Sequence, residues 1–108
     1  MTHFVSVQPR ALEDIDAIHL WLCQRSLLGA KSWLASLLGA LNDLQIHPHS
    51  YAAAAESKKF DREVKQCLFK TRHGRRYRIL FIIVGSNVQV LRVRRPGQRP
   101  VRRADIFD

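Results

Sequence analysis

The sequence predicts an α+β domain of order β-α-α-β-β-β, with a helical hairpin packed on one face of a small antiparallel sheet. Three observations carry this reading. Apolar residues recur at helical spacing through residues 10–46, the period shifts to two after residue 64, and turn-forming residues separate the later runs. With 108 residues, 46% hydrophobic and 25% charged, the chain has the size and balance of one globular domain, which excludes disorder, collagen-like repeats and fibres. A chain of this length buries a core without staples.

Phe4-Val5-Ser6-Val7 is a β-branched and aromatic run closed by Pro9, and reads as the first strand. Pro9 suits the first turn of a helix, where a missing N–H costs nothing. Ala11, Ile15, Ile18 and Leu22 follow at helical spacing, with Glu13, Asp14 and Asp16 near the positive end of the helix dipole. That helix is expected from about Arg10 to Arg25, with Gly29 breaking the pattern. The second helix carries a broad apolar stripe (Ala30, Trp33, Leu34, Leu37, Leu38, Leu41, Leu44) and should end near Ile46, before Pro48. Residues 47–63 read as loop with one alanine-rich turn or extended linker. Strands are expected over Val64–Arg72, Arg76–Val84 and Val88–Arg95, joined through His73-Gly74 and Gly85-Ser86-Asn87. The N-terminal strand adds to this meander at an edge.

Side-chain parity then predicts which residues share a face. Tyr77, Ile79, Phe81 and Ile83 point one way, and Arg78, Leu80, Ile82 and Val84 the other. Leu91 and Val93 are expected on one face of the last strand, with Arg92 and Arg94 on the other. Arg78, Arg92 and Arg94 would together make a basic, partly apolar surface away from the helices. Trp21 and Trp33 are expected in the core or between the helices, and Cys67 as a small buried residue.

Charge is divided unevenly. Residues 1–54 hold three basic and four acidic side chains, whereas residues 55–108 hold fifteen basic and five acidic ones. A half so basic implies an anionic partner: nucleic acid, an acidic protein segment or a membrane surface. No apolar run approaches the ~20 residues that span a bilayer, and the N-terminus has no signal-peptide pattern, so a cytoplasmic protein is expected. Cys23 and Cys67 form neither a disulfide framework nor a zinc spacing, and His47 and His49 supply no third ligand; neither metal nor cofactor is expected.

Several stretches, in this order, resemble the RelE/ParE superfamily of type II toxin–antitoxin toxins, often labelled plasmid stabilisation proteins. Pro9-Arg10-Ala11-Leu12-Glu13-Asp14-Ile15 and Ile18-His19-Leu20-Trp21-Leu22 resemble its first helix. Ala30-Lys31-Ser32-Trp33-Leu34, Leu37-Leu38-Gly39-Ala40-Leu41 and the following Pro48 resemble its second. Arg76-Tyr77-Arg78-Ile79-Leu80-Phe81 is similar to the family's Tyr-Arg strand, and Val88–Arg94 to its closing strand. The resemblance runs over about 4–95, and implies a toxin domain at 1–95 followed by a basic tail at 96–108. It also implies an antitoxin partner, expected to offer aliphatic anchors and several Asp or Glu to the apolar edge and arginine rim.

The superfamily implies two modes of action: RelE-like members cleave mRNA in the ribosomal A site, and ParE-like members inhibit DNA gyrase. Metal-free cleavage of RNA needs a general base, an acid for the leaving oxygen, and cations around the phosphate. Arg78 matches the phosphate-binding arginine of the cleaving members and is the catalytic candidate, with Lys70, Arg72, Arg94 and Arg95 beside it. The cleaving members usually carry a Tyr or His after the last strand; here Pro96–Asp108 contains neither, and Phe107 in the aromatic slot moves no proton. Asp105, His73 and Glu63 are weaker acid/base candidates. Gyrase inhibition asks only for a binding surface, for which Arg94, Arg95, Arg99, Arg102 and Arg103 provide a basic strip, with Lys70, Arg72 and Arg92 as further target- or nucleic-acid-binding candidates. The balance falls to gyrase binding, with mRNA cleavage next and a plain nucleic-acid-binding domain third.

Overall fold

Strand β1 (Phe4–Val7) leads through Gln8 into helix α1 (Pro9–Arg25), whose first residue is Pro9. The computed structural model describes residues 2–72 and 74–107, so His73 lies outside the described residues. Helix α2 (Leu27–Ile46) follows after one residue. Ser26 is that residue, and its Oγ accepts the Gly29 N–H at 3.0 Å, capping α2. The break therefore falls at Ser26 and not at Gly29, because the hydroxyl satisfies a first-turn donor that glycine would leave to water. Ser26→Ala is expected to cost about 1 kcal/mol in urea unfolding, with Ser26→Asp restoring most of it.

Residues 47–64 contain two short 3-10 turns, Pro48–Ser50 and Ala55–Lys59. Strands β2 (Lys65–Phe69), β3 (Tyr77–Val84) and β4 (Asn87–Arg94) form the expected meander. Gly85 opens the β3–β4 turn at φ +61°, a conformation that glycine adopts without strain. The sheet order is β1-β4-β3-β2, and β1 takes the edge beside β4. β1 runs parallel to β4, with Phe4 opposite Asn87 and Val7 opposite Val90, so the sheet is mixed and not wholly antiparallel. No hairpin joins β1 to β4, and turn geometry therefore does not fix its direction.

The helical hairpin covers one face. Ala11, Ile18, Trp33, Leu37 and Leu44 pack against Cys67, Ile79, Phe81, Val90 and Val93 of the sheet. Cys67 is buried as a free thiol, and burial raises its pKa. Trp33 is in the core, but Trp21 stays 40% exposed, with the Arg25 guanidinium 4.1 Å above its ring. A second apolar cluster lies on the opposite face, where Leu80, Ile82 and Leu91 meet Ala54, Val64 and Val101.

One parity expectation fails. Pairing passes from Leu80↔Arg92 to Phe81↔Val90, so Leu91 is an extra residue in β4. This bulge turns Leu91 to the outer cluster while Val93 stays on the helix side. Among the described residues no helix is long and apolar enough to cross a membrane.

Candidate functional site

The three sheet arginines share the face away from the helices, as parity predicts: Arg78 lies opposite Arg94, and Arg92 opposite Leu80. They do not form an open basic surface. The connection before β2 and the segment after β4 close over them, and each guanidinium is engaged inside the fold.

Arg78 is held by Glu56, on the 3-10 turn Ala55–Lys59. Its Nη1 donates to Oε1 at 2.9 Å and its Nη2 to Oε2 at 2.7 Å, a bidentate pair; Nη1 also donates to Gln66 Oε1 at 3.2 Å. Glu56 is only 2% exposed, and its Oε2 also accepts the Val101 N–H at 3.0 Å. The Arg78 hydrogen bonds, working against burial, bring the Glu56 carboxyl from 4.5 down to about 2. The same pairing raises the Arg78 pKa.

Arg92 forms a second bidentate pair across the sheet edge. Its Nε and Nη2 donate to Asp14 of α1 at 2.7 and 2.9 Å, and Asp14 Oδ2 also accepts the Val93 N–H at 2.9 Å. Arg92 Nη1 donates to the Asp105 carbonyl at 2.8 Å. Arg94 is 3% exposed, donates from Nη2 to the Arg99 carbonyl at 2.6 Å, and its Nε has no partner among the described residues. Burial, followed by the neighbouring Arg92 charge, lowers the Arg94 pKa.

The segment after β4 is therefore a strap and not a free extension. Val101 is fully buried, the Arg10 guanidinium donates to the Ala104 carbonyl at 2.8 Å, and Ile106 packs on the outer cluster. A short helix, α3 (Ala104–Phe107), ends the described chain; the Phe107 side chain lies outside what is described. Asp105 organises the strap, pairing with both Arg99 amino groups at 2.7 and 2.9 Å and accepting the Arg102 N–H at 2.7 Å. Those donors, Arg99 first, hold its carboxyl well below the usual range.

Among the described residues this arrangement places anions and cations in pairs. Glu56 stays ionised in the neutral range and donates no proton. Both tyrosines, Tyr51 and Tyr77, pack with the helix-side core, opposite Arg78. The Tyr51 hydroxyl donates to Asp43, and burial with that bond raises its pKa. His47 and His49 remain exposed, and among the described residues no three His, Cys, Asp or Glu side chains are grouped to hold a metal ion.

A family model described as the ParE toxin of type II toxin-antitoxin system, parDE, matches residues 5–100. The chain belongs to the ParE toxin family. A solved structure described as a chromosomal ParDE TA system from P. aeruginosa shares the fold with a TM-score of 0.65. The likeness covers 87% of this chain and 96% of that one at 18% identity. No curated protein sequence matches the chain.

In this ParE-family chain the residues singled out by sequence divide into two groups. Arg78 and Arg92 are half-buried and paired with carboxylates, and Arg94 is buried. Lys70 and Arg72 lie just after β2, and Arg95 just after β4; all three are exposed, as is Arg102. Arg99 and Arg103 are also at the surface, Arg99 paired with Asp105 and Arg103 with Asp61 at 3.3 Å. Glu56 and Asp14, the carboxylates that hold Arg78 and Arg92, carry no sequence signal for that role. Asp14 reads as a helix-dipole acid, and Glu56 sits in an alanine-rich stretch without periodicity.

Proposed function

We propose that this chain is a growth-inhibiting toxin that acts in the cytoplasm by binding DNA gyrase without cleaving a substrate. An antitoxin carrying an acidic, aliphatic segment neutralises it. ParE-like members of the superfamily inhibit gyrase, and membership of the ParE family supports carrying that target to this chain. The observation that carries the non-catalytic reading is the pairing of Arg78 with Glu56. A phosphate-binding arginine must present its guanidinium to a phosphate, and here both amino groups are held by a buried carboxylate. Of the cations singled out by sequence, Lys70, Arg72, Arg95 and Arg102 are exposed, a set that suits an acidic docking surface.

Pulse-labelling after induced expression in bacteria tests this directly. Thymidine incorporation is expected to fall before amino-acid incorporation, and the purified chain is expected to inhibit supercoiling by gyrase. The reverse order of labelling would return mRNA cleavage as the mechanism. Arg72→Glu combined with Arg102→Glu should weaken inhibition by about tenfold or more at unchanged unfolding temperature, because both side chains are exposed.

A further inference from the structure

On the helix side of the sheet, at the end where α1 meets α2, lies an open cleft of about 530 Å3. Its walls come from four places in the chain: the end of α1, the start of α2, the β2–β3 connection and the turn after β4. The floor is apolar and aromatic, formed by Trp21, Leu22, Trp33 and Tyr77. Its charged lining residues, among those described, are Arg75 and Arg95, with no carboxylate. Both guanidiniums act on Tyr77, opposing the rise that burial gives its pKa.

Trp33 supplies the second observation. Its side chain is 2% exposed, and its Nε1–H has no acceptor among the described residues. Buried donors are almost always satisfied, and one left unpaired is costly. The cleft thus holds an apolar floor and two cations, with the unused Trp33 donor buried beneath its surface. Among the described residues its lining carries no negative charge.

We infer that this cleft seats an anchor of the antitoxin, an aliphatic or aromatic side chain flanked by an Asp or Glu carboxylate. The apolar side chain covers the tryptophan floor, the carboxylate sits between Arg75 and Arg95, and an oxygen of the segment accepts the Trp33 Nε1–H. The inference rests on the antitoxin partner proposed above and names where and by what chemistry that partner is gripped.

The chain has two tryptophans, and both line this cleft, so their indole N–H signals report on its occupancy. The test titrates the 15N-labelled full chain with the small acidic protein that the antitoxin reading expects from a flanking reading frame, obtained by co-expression. Both indole signals are expected to move, with that of Trp33 shifting downfield as it gains an acceptor. Arg75→Glu with Arg95→Glu, both exposed positions, should weaken the complex at least about tenfold. Lys59→Glu with Arg62→Glu makes the same charge change elsewhere and should alter affinity by less than about threefold. The unfolding temperature of each variant checks that the fold is kept.

A complex that forms while both indoles stay still overturns the cleft and leaves the antitoxin reading standing. Equal losses in the two double variants also overturn it, since net charge alone then explains binding. Movement of the indoles by a single-stranded RNA, and not by the acidic protein, would make the cleft a nucleic-acid site. Failure of the wild-type chain to bind the acidic protein at all removes the partner reading and this inference with it.

Discussion

Truncation after Arg95 is expected to lower the unfolding temperature of the purified protein by roughly 15 °C or more, and to leave it prone to aggregation. The deleted segment carries Val101, which is fully buried, and covers Leu80, Ile82 and Leu91 of the sheet. Re-exposing apolar surface of this kind costs about 1.5–3 kcal/mol for each fully buried side chain. The deletion also strips Arg94 of the Arg99 carbonyl and Glu56 of the Val101 N–H, and removes the Asp105 carbonyl from Arg92. Differential scanning calorimetry of the truncated chain checks this. A protein that unfolds at the wild-type temperature would show that the strap contributes nothing to the fold. The result bears on function, because loss of toxicity in a truncated chain would reflect lost folding as readily as a lost gyrase contact. Charge reversal at exposed positions such as Arg72 and Arg102 separates the two.

Glu56→Gln is the second large effect. It removes the charge that compensates Arg78 in a buried bidentate pair, and breaking such a pair from one side costs about 3–5 kcal/mol. The same pairing makes stability depend on pH. The folded-state pKa of Glu56 is depressed, so the unfolded chain binds the proton more tightly and the stabilisation is fully present above pH 4.5. It is lost as the pH falls from there towards 2, and a depression of that size corresponds to about 3 kcal/mol. Urea unfolding from pH 6 to pH 2.5 should therefore show a wild-type acid loss that is shallower in the variant. Combining Glu56→Gln with Arg78→Met should recover much of the stability, because the remaining charge goes with its partner. A single variant as stable as wild type at pH 7, or a double variant no better than the single, would contradict the role assigned to this pair.

Much of the fold is legible in the local pattern. The α2 stripe from Ala30 to Leu44, the alternation of Tyr77 to Val84 and the Gly85-Ser86 turn each state their structure within a few residues. Helical and strand periods are properties of neighbouring residues, so they survive without knowledge of the rest of the chain. The helix boundary at Ser26 is legible too, from capping chemistry, once the hydroxyl is weighed above the glycine that follows it. The bulge at Leu91 leaves no comparable mark. An unbroken run of Val, Leu and Arg reads as regular alternation whether or not one residue is extra.

The candidate site was legible only as charge. Sequence alone determined that residues 55–108 are strongly basic, that Arg78, Arg92 and Arg94 share a sheet face, and that the segment after β4 has no Tyr or His. Composition and strand parity suffice for those statements. The tertiary structure decided which of the cations are available. Arg78 meets Glu56 from 22 residues away, Arg92 meets Asp14 from 78, and Val101 reaches the Glu56 carboxylate from 45. Such contacts are set by how the connection before β2 and the strap after β4 fold across one face, and no local period encodes them. A buried carboxylate thus pairs with the arginine expected to face a phosphate, and a half-buried charge is stable there only when it is paired.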